Sequence, residues 1–404
     1  VVLGSDFKAL GVVRSLGRRG IPCVVVDDLP RSAWYSRYVK KRFRWSGAMW
    51  GPAFVQFLVD LAANHGLRDW VLLPLQDEVV ELVARSHASL CGHYRLVTQD
   101  WDRLRWAHDK RLVRQVAGEL GIPYPRTWIP SGLDDLARME IRYPAIIKPA
   151  ISIRLQYAIG RKVLPVHSQR ELLAQYQFAA GIIDPEVLMV QETIPGDGGH
   201  QYSVGAFCKD GQVVCAMTAR RTRQYPLDYG LASTFVEAIE IPELLEPARR
   251  LVGRLGLSGL VEVEFKRDAR DGVDKLLDIN LRPWGWHTLG IACGLDFPHM
   301  QYADAIGERV EPVMPRYGPR WRRLVTDVPA AWQEIRERLT TPARYLRSLP
   351  GPTVASVMDV ADPLPAVADL AVTLRRAVRR GHTGRAPIAD EPIGSGLPAK
   401  IRSA

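Results

Sequence analysis

Residues 261–285 read VEVEFKRDARDGVDKLLDINLRPWG, with carboxylates, an amide and an arginine at alternating positions. A hairpin turning near Asp271 places Glu264 directly opposite Asp278, because both are equally far from the turn. Strand side chains alternate with period two, so Glu262, Glu264, Asp278 and Asn280 share one face. Val261, Val263, Phe265, Leu277 and Ile279 share the other. Three carboxylates side by side repel unless something cationic lies among them. Hard oxygen donors at this spacing suit Mg²⁺, which takes one or two carboxylates together with phosphate oxygens. The competing reading is a solvated strand face neutralised by Arg and Lys neighbours, and spacing alone does not choose.

Lysine is scarce, with ten among the 54 basic residues, so its positions carry information. Lys110 follows Asp109 at a helix start, and Lys148 ends the apolar run Ile146-Ile147 before Pro149. A lysine emerging from an apolar strand end can meet a phosphate as a point charge. Taken singly, each is more often a surface lysine, and it is the two together beside the hairpin that favour a phosphate.

These groups need strands and helices to position them. The run Val1-Val2-Leu3 ends at Gly4-Ser5, a helical stretch follows to Gly20, and a second strand ends at Asp27-Asp28. Helices at 54–64 and 79–87 alternate with strands at 70–75 and 94–97, which predicts a parallel sheet covered on both faces. A dinucleotide fingerprint would need glycines where Asp6 and Ala9 stand, so NAD or FAD binding is not favoured. Beyond residue 143 the pattern changes to clustered strands with turns such as Lys209-Asp210-Gly211 and Asp271-Gly272, which predict antiparallel hairpins. After Pro312 the chain is rich in Pro and Arg, with one amphipathic helix predicted at 367–380.

The order of these pieces resembles the ATP-grasp superfamily of carboxylate-amine ligases, and within it the carboligases that include D-aspartate ligase. The matching stretches are HDK at 108–110, GIPYPRT at 121–127, IIKPA at 146–150, VQETIPGDG at 190–198, VEVEF at 261–265 and LLDINLRPWG at 276–285. The resemblance implies an α/β and α+β chain: a doubly wound, parallel-sheet domain (1–108), then a two-lobed ATP-grasp fold (109–312) with its hinge near 190–198. A basic extension (313–404) completes it. It implies ATP and Mg²⁺ as cofactors, with one or two ions and Mn²⁺ as a substitute. Lys110 and Lys148 would contact phosphates, and Gln191, Glu192 and Ile194 would receive adenine and ribose. Glu264, Asp278 and Asn280 match the metal ligands, and Arg282 the arginine that meets an acyl-phosphate or carboxylate. Glu262 is a neighbour and not a ligand. The family's Gly-rich phosphate loop is missing from AISIRLQYAIGRK at 150–162, so Arg154, Arg161 or Lys162 is expected to supply charge instead. In TARRTRQYP at 218–226, Arg223 is the expected phosphate contact, with a solvated basic loop as the other reading.

The implied reaction couples a small carboxylate to an amine (an amino acid, peptide or amino sugar) through an acyl-phosphate, releasing ADP and phosphate. A non-catalytic ATP-binding regulatory module is the alternative, and a dinucleotide-dependent oxidoreductase a weaker one. Trp284, Gly285, Trp286 and His287 are expected on the acceptor side, with Ser5, Asp6, Asp28 and Gln76-Asp77 at strand ends. His200, His287 and His299 read either as substrate contacts or as structural histidines.

Composition bounds these readings. The 404 residues are 24% charged with a mean hydropathy of −0.09, which excludes a disordered chain. No apolar run approaches the ~20 residues that span a bilayer. No basic stretch followed by an apolar one opens the chain, so no secretory signal is expected. Five scattered cysteines without a CxxC pair predict neither disulfides nor zinc, and a cytoplasmic setting. Of the net charge of +10, most lies in 313–404, where 15 basic residues face 8 acidic ones. Aromatic residues are not interleaved with a basic stripe, so no nucleic-acid partner is expected. The basic C-terminus instead suggests weak contact with an acidic partner or the inner face of a membrane.

Overall fold

The computed structural model describes residues 1–151, 154–196, 198–225, 227 and 232–381. Short apolar strands begin it: β1 (Val2–Leu3), β2 (Cys23–Asp27), β3 (Val39–Arg44), β4 (Trp70–Pro74) and β5 (Tyr94–Leu96). They pair in parallel in the order β3-β2-β1-β4-β5. Central strands of such a sheet are buried on both faces, which explains their unbroken apolar sequences. Val2, Val25 and Leu73 pack to one side; Leu3, Val24, Val26 and Leu72 pack to the other. The strand order reverses between β1 and β4, and a crevice opens beyond their carboxyl ends. Residues Gly4–Asp6 and Leu75–Asp77 stand there. Asp6 caps the helix Phe7–Gly17 by accepting from the backbone N–H groups of Lys8 and Ala9.

A second, four-stranded sheet comprises β6 (Thr127–Trp128), β7 (Ala145–Pro149), β8 (Leu164–Val166) and β9 (Leu188–Glu192), ordered β6-β9-β7-β8. Ala145, Ile147, Val166, Leu188 and Val190 pack it onto the helix Gln169–Ala180 through Leu172, Tyr176 and Ala179.

The third sheet is larger: β10 (Gln201–Lys209), β11 (Gln212–Tyr225), β12 (Ala232–Ala238), β13 (Gly259–Arg267), β14 (Asp274–Asn280), β15 (Arg320–Arg322) and β16 (Thr353–Ala355). Its order is β14-β13-β10-β11-β12-β15-β16. One face buries Val204, Ala206, Val261, Val263, Phe265 and Ile279 beneath the helix Pro242–Leu255. On the opposite face Phe207, Met217, Ala219, Val236 and Trp284 join the core of the parallel domain. Gly205 lacks a side chain because the Trp284 indole occupies that space; a Cβ there would lie 2.3 Å from Trp284 Cζ2.

Residues 313–381, expected within a C-terminal extension, are instead part of this framework; residues 382–404 lie outside the described residues. β15 pairs with β12, and Trp321 at its centre is fully buried. The helix Leu324–Arg336 packs on β11 and β12. Farther along, Arg14 of the first helix donates to Asp362 and to the Val357 carbonyl. A three-residue strand is too short to show a period, which is why the sequence pattern reads as tail. All five cysteines are free, and among the described residues no helix is long and apolar enough to cross a membrane.

Candidate active site

β13 and β14 pair in the register expected from the spacing: Glu262 with Asn280, Val263 with Ile279, and Glu264 with Asp278. Just beyond, a bulge pairs Phe265 with Leu276 and leaves Leu277 over. Leu276 therefore takes the core position expected for Leu277, and Leu277 lines the cleft. That cleft, of about 910 Å³, separates the four-stranded sheet from the seven-stranded one.

Its polar wall is a balanced cluster. Asn280 donates from Nδ2 to Glu262 at 3.0 Å and to Glu264 at 2.9 Å. Lys110, at the start of the helix Lys110–Glu119, places Nζ 3.2 Å from Asp278. On β7, Ala145 and Ile147 point into the core while Ile146 and Lys148 face the cleft, so strand alternation delivers Lys148. Lys162 lines the same wall; the side chain of Arg154 lies outside the described residues. Arg221 of β11 reaches Glu264 at 3.5 Å and Gln201 at 3.0 Å.

These charges set one another's protonation. Burial would raise Asp278, but Lys110, Lys148 and Lys162 outweigh it and lower its pKa. Lys110 is desolvated too, yet Asp278 draws its pKa up. Lys148 is pushed down to about 8, by desolvation first and by Lys110 second. Lys162 also shifts down, desolvation outweighing Glu264 and Asp278. Glu262, buried against Trp286 and accepting from its Nε1 at 3.0 Å, rises to about 7 through desolvation and the neighbouring Glu264.

Among the described residues no three His, Cys, Asp or Glu side chains form a metal group by themselves. The cluster offers two cleft-facing carboxylates and an amide, all oxygen donors, with three ammonium groups alongside. That set does not make a closed metal centre, and it fits a Mg²⁺ ion shared with phosphate oxygens.

Arg282 leaves β14 toward the parallel domain. It donates from Nε and Nη2 to the two oxygens of Asp77, at 2.6 and 2.8 Å. Against desolvation, Arg282 holds Asp77 far below the usual carboxylate range. Asp77 begins the helix Asp77–Arg85 at the crevice between β1 and β4, so the parallel domain supplies one wall of the site. Gln191 and Ile194 line the other end, near Ile146 and Leu277. Gln191 donates to Thr127 Oγ1 at 3.0 Å. Glu192 accepts from the Arg126 N–H at 2.9 Å and from Arg270 at 3.0 Å, which fixes its carboxylate.

Arg223 lines the cleft but is paired within the protein. A bulge between Arg221 and Arg223 leaves Thr222 over, so Arg223 turns to the side of Phe235. There it donates to Asp327 from Nε at 2.8 Å and from Nη2 at 3.2 Å, and to Ser348 Oγ at 3.0 Å. All its nitrogens are engaged by protein, and Arg221 faces the carboxylates instead. Of the four residues expected on the acceptor side, Gly285 and Trp286 line the cleft, while Trp284 and His287 are buried. Burial lowers His287 to about 4, as befits a structural histidine. Sequence reasoning missed Phe7, Lys8 and Tyr345 as cleft residues, since nothing in their spacing marks them.

Residues 184–325 match a family model described as ATP-grasp in the biosynthetic pathway with Ter operon. The chain is 24% identical over 300 residues to the D-aspartate ligase of Enterococcus faecium (strain Aus0004), covering 70% of each protein. The biotin carboxylase domain of 2-oxoglutarate carboxylase from Hydrogenobacter thermophilus, solved with MgADP, ADP and bicarbonate, superposes with a TM-score of 0.65 at 18% identity, over 79% of this chain and 72% of that one. An L-amino acid ligase from Bacillus licheniformis gives 0.56 at 13% identity, over 77% and 74%.

Proposed function

We propose that this chain is an ATP-grasp ligase that activates a small carboxylate with ATP and joins it to an amine. One observation carries the reading: Lys110, Lys148 and Lys162 converge on Glu264, Asp278 and Asn280, at a cleft that also holds a carboxylate-binding arginine, Arg282. The names of the D-aspartate and L-amino acid ligases support amine coupling and point to amino acids as the substrate class. Peptides and amino sugars are the other amine-bearing classes to screen.

In this reading Ile146, Leu277, Gln191 and Ile194 hold the adenine end, and Lys110, Lys148, Lys162 and Arg221 surround the phosphates. Glu264, Asp278 and Asn280 would hold Mg²⁺, which offsets phosphate charge when bound. Arg282 presents two parallel N–H groups and can exchange Asp77 for a substrate carboxylate. The acid's oxygen takes the γ-phosphoryl group of ATP, giving an acyl-phosphate and ADP. The amine then attacks the acyl carbon and phosphate leaves, its oxygen carrying the broken C–O bond's electrons. The chain's part is positioning and charge stabilisation. A silent ATP-binding module would not need Glu264, Asp278 and Asn280 together, which favours the catalytic reading.

Asp278→Ala or Asn280→Ala should abolish amino-acid-dependent ADP formation while leaving the circular dichroism spectrum unchanged. Turnover undiminished in those variants would sink the assignment.

A further inference from the structure

The helix Leu364–Gly381 docks through Pro365, Ala366 and Asp369 and turns an apolar side outward. Asp369 is 7% exposed, accepting from Ser32 Oγ at 2.9 Å and standing 3.4 Å from Arg323. Opposite it, Leu364, Val367, Leu370 and Leu374 are 64%, 66%, 51% and 56% exposed. Their spacing of three and four residues makes one stripe along the helix. Met358 and Val360, in the approach to the helix, are 59% and 102% exposed. A surface helix ordinarily buries its large apolar side chains; here the docked face rests on Pro365, Ala366 and the paired Asp369, and the apolar stripe lacks a partner among the described residues.

Charge decides what fits the stripe. The one carboxylate of this helix is the buried, paired Asp369, whereas its sequence ends in Arg375, Arg376, Arg379 and Arg380. A second copy would add another chain of net charge +10, much of it in this region, and the two would repel. An anionic surface offsets that charge and accepts the apolar side chains together. The stripe also lies outside the cleft lining, so the site already described does not account for it. We propose that this helix docks on an anionic phospholipid surface, with the leucine and valine side chains at the acyl boundary and the net positive charge of the segment favouring anionic lipid.

The test uses the full chain and vesicles of equal parts phosphatidylglycerol and phosphatidylcholine, against vesicles of phosphatidylcholine alone. Co-sedimentation is expected with the anionic vesicles, at least about tenfold stronger than with neutral ones, and weakened as salt rises from about 0.1 to 0.5 M. The triple variant Val367→Gln, Leu370→Gln, Leu374→Gln should lose about tenfold in vesicle binding with its thermal unfolding unchanged, because these side chains are already solvent-facing. Replacing the four arginines by Gln should remove the salt-sensitive part. Equal binding to both vesicle types overturns the proposal, as does no binding to either. A chain that avoids vesicles and sediments as a dimer, dissociated by the same triple variant, assigns the stripe to a second copy instead.

Discussion

At the scale of single residues, Lys148 sits where desolvation and the Lys110 ammonium both favour its neutral form, and its pKa falls to about 8. A phosphate needs the charged form. ATP affinity should therefore be highest below pH 8 and fall as pH rises through it, with proton uptake on binding near that pH. Titration calorimetry in buffers of different ionisation enthalpy measures both effects, and Lys148→Arg should hold its affinity to higher pH. Affinity independent of pH to about 9 would remove Lys148 from the phosphate site. The position of Lys148 at a strand end was legible from the apolar run ending in Lys-Pro, while the choice between a surface lysine and a cleft lysine needed the strand's two faces to be placed. Asp77 was legible only as a strand-end carboxylate. Its partner Arg282 is 205 residues away, and no local pattern encodes such a pairing. The protein partners of Arg223 were hidden for a different reason: the bulge at Thr222 puts it out of step with Arg221, and Asp327 is 104 residues away.

Among the elements, the β13–β14 hairpin was read correctly down to the Glu264–Asp278 pair, because a chemical pattern with period two and a Asp-Gly turn fix a register together. Its bulge escaped, since one extra residue leaves no compositional mark. β10 carries a sharper constraint that sequence could not show. Gly205 faces the Trp284 indole, and an added Cβ would stand 2.3, 2.9 and 3.0 Å from its ring carbons. Trp284 is buried and packs edge-on to Phe297 with ring centroids 4.9 Å apart, so it has little room to yield. Gly205→Ala should cost about 1–3 kcal/mol, the usual range for overpacking, and lower the melting temperature by several degrees. Thermal unfolding followed by tryptophan fluorescence reads this out. An unchanged melting temperature would mean that Trp284 does not bear on β10.

For the molecule as a whole, the C-terminal segment ties the parallel domain to the seven-stranded sheet, and the knot is Asp362. It accepts from Arg14 Nε at 2.9 Å, Ser36 Oγ at 2.7 Å and the Arg37 N–H at 2.9 Å, all from the parallel domain. Arg14 is buried, and its other two bonds go to the carbonyls of Val357 and Asp362, each at 2.8 Å. Composition read this stretch as a basic tail because such contacts join residues more than 320 positions apart. Removing one partner of a buried pair leaves the other charge uncompensated, which costs about 3–5 kcal/mol. Asp362→Ala should therefore lower the urea midpoint by about 1 M or more, while Asp362→Asn, which keeps an acceptor oxygen, should lose less. The pKa of Asp362 is lowered on folding: its desolvation is outweighed by the hydrogen bonds from Arg37, Ser36 and Arg14. A depressed carboxylate stabilises the fold above its unfolded pKa, and that contribution disappears as pH falls through the folded value. Wild-type stability should thus decline on acidification below about pH 4, and the Asp362→Ala chain should lose less over the same interval. Parallel acid limbs in the two proteins, or an unchanged urea midpoint, would show that the C-terminal segment rests on the parallel domain without holding it.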